Sequence, residues 1–437
     1  PSIEFTIVLK RTNSNIKMKE KRDFWWHEEM KDSNEKCKAE SMNSEDELFI
    51  LYTSGSTGKP KGIVHTTAGY MIYAQYSFEN VFQYKKGDIY WCTADIGWIT
   101  GHSYIIYGPL LAGATTVMFE GVPTYPDPGR FWEIVQENKI NIFYTAPTAI
   151  RALEAKGNQY VRKYNLDSLK VLGTVGEPIN EDAWNWYFKE IGGEKCPIVD
   201  TWWQTETGGI MISNLAGINK AKPTFATLPL PGIQACIVDE NGEELKENNS
   251  EGKLCIKYPW PSMARTIYGD HQRYINTYFS SFPGKYFSGD GCYKNNDGLF
   301  RITGRVDDVL IVSGHNLGTA EIESAIDEHE NVCESAIVGY PHKIKGNGVF
   351  AFVICHQMPN NDEIINAEIN DLISQHVGPI AKVDKFLFVE GLPKTRSGKI
   401  MRRILRKIAS GETTNLGDTS TLLDPTVVES IILKSKK

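Results

Sequence analysis

The chain has 437 residues, a formal net charge of −7, 41% hydrophobic and 23% charged residues. That length exceeds one ordinary core and the composition is globular, so two or more domains are expected and disordered or fibrous classes are excluded. The acidic balance argues against a nucleic-acid partner, and no apolar run approaches the roughly 18 residues of a membrane span.

The opening PSIEFTIVLKRTN has no charged leader, long apolar core or cleavage site, so no signal peptide is expected; without an initiator Met the start reads as a cut. Residues 1–47 are polar, and 21–40 are expected to form a surface helix and linker. Apolar runs then alternate with helix-like stretches. LFILY (48–52), IYWC (89–92), TTVMF (115–119), NIFYT (141–145) and LKVLGTV (169–175) are predicted strands. Residues 67–82, 128–139 and 181–191 are predicted helices. This alternation predicts an α/β fold. From about Pro229 short strands and turns predict a β-rich subdomain, with NG and DG dipeptides marking hairpin turns. After Arg305 the pattern becomes a compact α+β one with a second helix over 362–376 and a last basic helix. The predicted domains are therefore 1–304 and 305–437.

Cys37, Cys92, Cys196, Cys236, Cys255, Cys292, Cys333 and Cys355 form no CxxC pair. Zinc sites and disulfide frameworks are not expected; reduced, mostly buried thiols of a cytoplasmic protein are.

Four segments carry candidate chemistry. Tyr52–Gly62, YTSGSTGKPKG, stands between a strand and a helix. Its hydroxyls and backbone N–H groups can wrap a polyphosphate, with Lys59 and Lys61 adding charge. The glycine spacing is not that of a P-loop, and the alternative is a Ser/Gly surface loop. Asp200–Gly208, DTWWQTETG, combines paired Trp with hydroxyls and one carboxylate. Trp can wall an apolar pocket, Thr205 can bond a phosphate oxygen and Glu206 can hold Mg²⁺; the alternative is a buried Trp pair. In Tyr286–Gly291, followed by Arg301–Asp308, Asp290 on a Gly-flanked turn could bind a ribose diol or merely turn a hairpin. In Leu392–Arg406, LPKTRSGKIMRRILR, Lys399 follows a Gly-containing loop from which it can reach a site on another domain; the alternative is a solvated basic helix.

These segments, in this order, resemble the adenylate-forming superfamily of acyl-CoA synthetases, luciferase and peptide-synthetase adenylation domains. WCTADIGWITGHSYIIYGPL, GTVGEPINEDAWNWY, DTWWQTETGG and SGHNLGTAEIESAI narrow the resemblance to the acetyl-CoA synthetases. It covers essentially the whole chain. Enzymes of that family begin well upstream, so part of the N-terminal domain is expected to be missing here. The resemblance implies a large N-terminal domain and a small mobile C-terminal one.

It also implies residue roles. Thr53, Ser54, Gly55, Ser56, Thr57, Gly58 and Lys59 match the phosphate loop. Gly176, Glu177 and Pro178 match the adenine wall, and Asp200, Thr201, Trp202, Trp203, Gln204 and Thr205 the nucleotide and acetate site. Asp290 matches the ribose ligand, and Arg305 and the position of Asn316 also face the nucleotide. Trp98, Ile99, Thr100, Val175 and Trp203 match the acetate pocket. Thr100, Ser313 and Gly314 match coenzyme A contacts. Asp307 matches the hinge, Lys399 the catalytic lysine, Glu206 a Mg²⁺ ligand, and His329 with the carbonyls of Asp327 and Val332 a further cation site. Three departures stand out: Asn316 replaces an arginine, Ile311 an asparagine, and Ser374 a coenzyme A-binding arginine.

The implied reaction joins acetate to the α-phosphate of ATP, then transfers the acetyl group from the adenylate to the coenzyme A thiol. Lys399 would stabilise the moving charge in the first step, Mg²⁺ would assist with the phosphates, and acetylation of Lys399 would switch the enzyme off. The alternatives are a synthetase for propionate or a longer acid, and a non-catalytic fragment.

Overall fold

The computed structural model describes residues 2–53, 60–306, 310–312, 315–342, 346–395, 400–414, 416–417, 419 and 422–436, with the backbone alone for 311, 315, 316, 346 and 347. The chain forms two compact units, 1–43 and 44–437. The first pairs two short parallel strands, Thr6–Val8 and Asp23–Trp25, and adds a single α-helical turn, Trp26–Glu29. The surface helix expected over 21–40 is corrected to that turn. None of its residues is buried and no side chain caps it, so nothing tertiary supports a longer helix.

In the second unit a five-stranded parallel sheet has the order Thr115–Val117, Ile89–Cys92, Ile142–Thr145, Val171–Val175, Ile198–Thr201. All five residues of Val171–Val175 are buried, as a strand covered on both faces requires. The two-residue pleat sorts side chains between two cores. Tyr90, Cys92, Ile142 and Tyr144 join one; Trp91, Phe143, Leu172 and Ile198 join the other. Helices Arg130–Asn138, Pro147–Glu154 and Glu181–Trp186 lie in the connections. Strand order reverses between Ile89–Cys92 and Ile142–Thr145, the point at which open α/β sheets place their ligands, beyond the carboxyl ends of the strands. The Thr93 and Thr145 hydroxyls meet there at 2.6 Å.

A three-stranded antiparallel sheet joins Glu47–Thr53, Lys61–Thr66 and Thr266–Ile267, followed in the chain after Thr66 by helix Thr67–Val81. The predicted β-rich segment is a four-stranded antiparallel sheet of Ala235–Val238, Ser250–Ile256, Tyr286–Lys294 and Phe300–Arg305. Asn241-Gly242 and Asp297-Gly298 turn the chain as expected, their glycine N–H groups donating to the Asp239 and Asn295 carbonyls. Asp290 does not lie on a turn. It sits inside Tyr286–Lys294, opposite Arg305 of Phe300–Arg305, while on the other side the register with Ser250–Ile256 shifts, so that Gly291 and Phe287 are paired there and Asp290 is not.

The last sheet has Gly346–Cys355 at its centre, bonded to Leu310–Val312, Val332–His342 and, in parallel, Lys385–Phe388, with His315–Leu317 at the edge. Ile337, Val349, Ala351 and Val353 pack with Ile322 and Ile369 of helices Thr319–Asp327 and Asp362–His376. Ala336, Val338, Phe350 and Phe352 pack with Ile404 and Ile431 of helices Arg402–Ala409 and Thr426–Ser435. The basic helix of the sequence is therefore amphipathic: Ile404, Leu405 and Ile408 are buried, and Arg402 pairs with Glu323 at 2.6 Å. The molecule is α/β with a β-rich sheet and an α+β C-terminal part. No helix among the described residues is long and apolar enough to cross a membrane.

Candidate active site

Strand Ile198–Thr201 ends in the Trp202–Thr205 segment, and Val171–Val175 ends in the Gly176–Pro178 turn, so both leave from carboxyl ends of the parallel sheet. Asp200 is buried; its Oδ1 accepts from the Thr174 hydroxyl at 2.8 Å, and burial still pushes its pKa up to about 6. The Thr201 hydroxyl meets Tyr144 Oη at 2.6 Å and donates to the Thr174 carbonyl at 2.8 Å.

Asp290 gathers the segments. Its Oδ2 accepts from Trp202 Nε1 at 3.1 Å and from Gln204 Nε2 at 2.9 Å, and its Oδ1 from Arg305 Nη1 at 3.3 Å. Gln204 is fixed at both ends, since Nε2 also donates to the Ser288 carbonyl and Oε1 accepts from Tyr286 Oη at 2.8 Å. Gly289 permits this closeness. It has φ +75°, and a Cβ there would stand 2.7 Å from Arg305 Nη2.

Thr205 and Glu206 are held from the strand after the Ser/Gly loop. His65 Nε2 lies 2.7 Å from the Thr205 carbonyl, an acceptor, so Nε2 is the protonated nitrogen. Burial lowers the His65 pKa to about 4. Glu206 Oε1 accepts from Lys61 Nζ at 3.4 Å and from the Tyr278 hydroxyl. Burial opposes the Glu206 charge, yet Lys61 and Tyr278 outweigh it and hold the carboxyl below its ordinary range. Thr53 stands opposite Lys61 in the antiparallel pair.

Trp203 is half-buried, its ring edge-on to Tyr104 at 4.9 Å and its Nε1 donating to Tyr144 Oη at 3.4 Å. Val175 and Trp203 share one apolar cluster. Ile99, although buried, lies outside it, on the short helical segment Ile99–Gly101 flanked by Trp98 and containing Thr100. Glu177 turns to the neighbouring helix, accepting from Thr148 Oγ1 at 2.5 Å and Arg151 Nη2 at 2.9 Å. Gly176 and Pro178 are exposed.

Ser54, Gly55, Ser56, Thr57, Gly58, Lys59, Asp307, Ser313, Gly314 and Lys399 lie outside the described residues, and Asn316 is described by backbone only. Asp327, His329 and Val332 occupy the link between helix Thr319–Asp327 and strand Val332–His342. His329 Nδ1 accepts the Asn331 N–H, so its Nε2 donates to Glu368 at 3.1 Å. Asp327 accepts from the Ser335 hydroxyl, and burial pushes its pKa up to about 7. Among the described residues no group of three or more His, Cys, Asp or Glu side chains could hold a metal ion. The hard carboxylate oxygens of Glu206 nonetheless suit Mg²⁺ chemically.

Sequence reading missed His65, Tyr278, Tyr286, Arg151 and Glu334. Tyr286 stands inside the Tyr286–Gly291 motif, so motif membership could have pointed to it. The others carry no local signal.

A family model described as AMP-binding enzyme matches residues 3–268, and one described as AMP-binding enzyme C-terminal domain matches 321–399. The fold and site thus define a member of the adenylate-forming, AMP-binding enzymes. The chain is 56% identical over 99% of its length to the acetyl-coenzyme A synthetase of Alkalilimnicola ehrlichii, of which it covers 67%. It is 57% identical over 98% of its length to that of Sinorhizobium medicae and 56% over 99% to that of Escherichia coli K12, covering 66% of each. The chain belongs to the acetyl-coenzyme A synthetase family of acetate–CoA ligases, and spans about two thirds of the length of these relatives.

Proposed function

We infer that the protein containing this chain activates acetate with ATP and transfers the acetyl group to coenzyme A. The observation that carries the reading is the convergence of Trp202, Gln204 and Arg305 on Asp290, which joins the Trp-rich segment to the Asp-Gly strand beside the carboxyl ends of a parallel sheet. A carboxylate so held suits a ribose diol, with Gly176–Pro178 as the adenine wall and Ser54–Lys59 around the phosphates. Trp98, Ile99, Thr100, Val175 and Trp203 would form the acid pocket. Glu206 would hold Mg²⁺, which supplies charge neutralisation at the phosphates. His329, with the carbonyls of Asp327 and Val332, would take a second cation.

In the first half-reaction an acetate oxygen attacks the α-phosphorus and pyrophosphate leaves; Lys399 stabilises the transferring charge. In the second, the C-terminal domain from 305 onward turns about Asp307 and brings Ser313 and Gly314 beside the thiol. The thiolate attacks the acyl carbon and AMP leaves. Acetylation of Lys399 would remove its charge and stop the first step. Eight unpaired cysteines support a reducing, cytoplasmic setting.

The test uses the full-length protein: acetate-dependent ATP–pyrophosphate exchange, then acetyl-CoA formed on adding coenzyme A. Exchange with propionate or longer acids but not with acetate would overturn the substrate, and absence of exchange with any acid would overturn the reaction.

A further inference from the structure

An alternating row of charges links the Gly176–Pro178 turn to the C-terminal part of the chain. Arg151, on helix Pro147–Glu154, donates from Nη2 to Glu177 Oε1 at 2.9 Å, and the same nitrogen lies 3.6 Å from Glu334 Oε1. Glu334 belongs to strand Val332–His342 and accepts from Lys394 Nζ at 2.6 Å through its other oxygen. All four side chains are a quarter exposed or less. Arg151 Nε and Glu334 Oε1 are buried without a hydrogen bond of their own, so the 3.6 Å contact in the middle of the row is held by charge and not by a hydrogen bond.

Glu177, Arg151, Glu334 and Lys394 carry charges −, +, − and +, so the row is neutral as a whole and on each side of a cut between Arg151 and Glu334; what such a cut removes is the attraction between these two buried groups. That cut is the one separation of helix Pro147–Glu154 from strand Val332–His342 would make. It would strand a buried Glu–Arg pair on one side and a Glu–Lys pair on the other, each short of one partner. Lys394 also precedes Lys399 by five residues in the chain and pairs with Ile400 in an isolated antiparallel bridge.

We propose that Arg151 and Glu334 are positioning residues, whose contact couples the Gly176–Pro178 turn to the segment beginning at Lys394 and holds the arrangement in which the adenylate forms. The proposal rests on the two-step reading above. Neither residue touches substrate; each acts through Glu177 or Lys394.

The experiment is made on the full-length protein with Arg151→Met, Glu334→Gln, the double variant and Arg151→Lys. Acetate-dependent ATP–pyrophosphate exchange is compared with thioester formation from supplied acetyl-adenylate. Each single variant should lower exchange about tenfold, within the ordinary range for coupled sites, and leave the thioester step unchanged. The double variant should be no worse than the poorer single, and Arg151→Lys should recover part of the loss. Equal loss of both half-reactions, or loss of neither, overturns the proposal. Glu334→Gln keeps the side-chain volume and serves if Arg151→Met does not fold. Small-angle scattering of the same proteins gives a readout free of substrate. Arg151→Met or Glu334→Gln should broaden the distance distribution, and superimposable curves overturn the coupling. Failure of the unsubstituted protein to exchange with acetate would count against the substrate reading and leave the scattering result to decide the coupling.

Discussion

Trp202 Nε1 and Asp290 Oδ2 lie 3.1 Å apart although 88 residues separate them in the chain. The bond fixes the indole and the carboxylate together, with Gln204 and Arg305 completing the set. Asp290→Ala would leave the Trp202 and Gln204 donors without their carboxylate acceptor. Hydrogen bonds to a charged group are worth about 1.5–3 kcal/mol each, and a total loss of about 3 kcal/mol in unfolding free energy is expected. Asp290→Asn keeps the volume and should cost less, while weakening ATP binding. Denaturant titration and ATP affinity measure the two effects; an unchanged midpoint in Asp290→Ala would sink the structural role.

Lys399→Ala tests the sequence-derived lysine. In the full-length protein, exchange should fall by about 10²–10³ or more, the scale of losing one charge-stabilising donor. Thioester formation from supplied acetyl-adenylate should survive. Parallel loss of both would argue against a role confined to adenylation.

Trp203 differs from its neighbour. Trp202 is buried in the core, whereas Trp203 is half-buried, edge-on to Tyr104. Each added CH₂ gains about 0.8 kcal/mol on burial, so a site that prefers acetate must exclude longer acids by shape. Trp203→Gly should keep the fold and shift the preference in exchange assays toward acids of four to six carbons. A folded variant still confined to acetate would remove Trp203 as the wall. An unfolded one, at a cost of roughly 3–5 kcal/mol, would mark it as core.

His65 makes stability depend on pH. Its folded pKa, lowered to about 4 by burial, lies below the ordinary value of 6.5. The folded state therefore binds fewer protons than the unfolded one between those values, and stability falls as pH drops from about 6.5 to about 4. The shift corresponds to about 3 kcal/mol. Asp200, raised by burial to about 6, works in the opposite sense, so the comparison must be made against a variant. The advantage of wild type over His65→Gln should shrink across that window in denaturant titrations. A pH-independent difference would show that His65 is not the titrating group.

The sequence by itself determined the local elements and the order of the motifs. Strands such as Val171–Val175 are legible because burial on both faces demands an unbroken apolar run, and helix Asp362–His376 is marked by its periodicity. The Trp202–Thr205 and Asp290 segments were legible because their residue types sit close together in the chain. Helices His271–Tyr278 and Thr426–Ser435 were not foreseen. Only the tertiary structure decided that Asp290 lies within a strand, since its ladder partner is Arg305 and the strand's other neighbour, Ser250–Ile256, comes from well upstream in the chain. It alone also joined His65 to Thr205, Tyr278 to Glu206 and Arg151 to Glu334. Hydrogen bonds and buried ion pairs act over a few ångströms of space whatever the separation along the chain. A lone His, Tyr, Arg or Glu therefore carries no local pattern that could name its partner before the sheets are assembled.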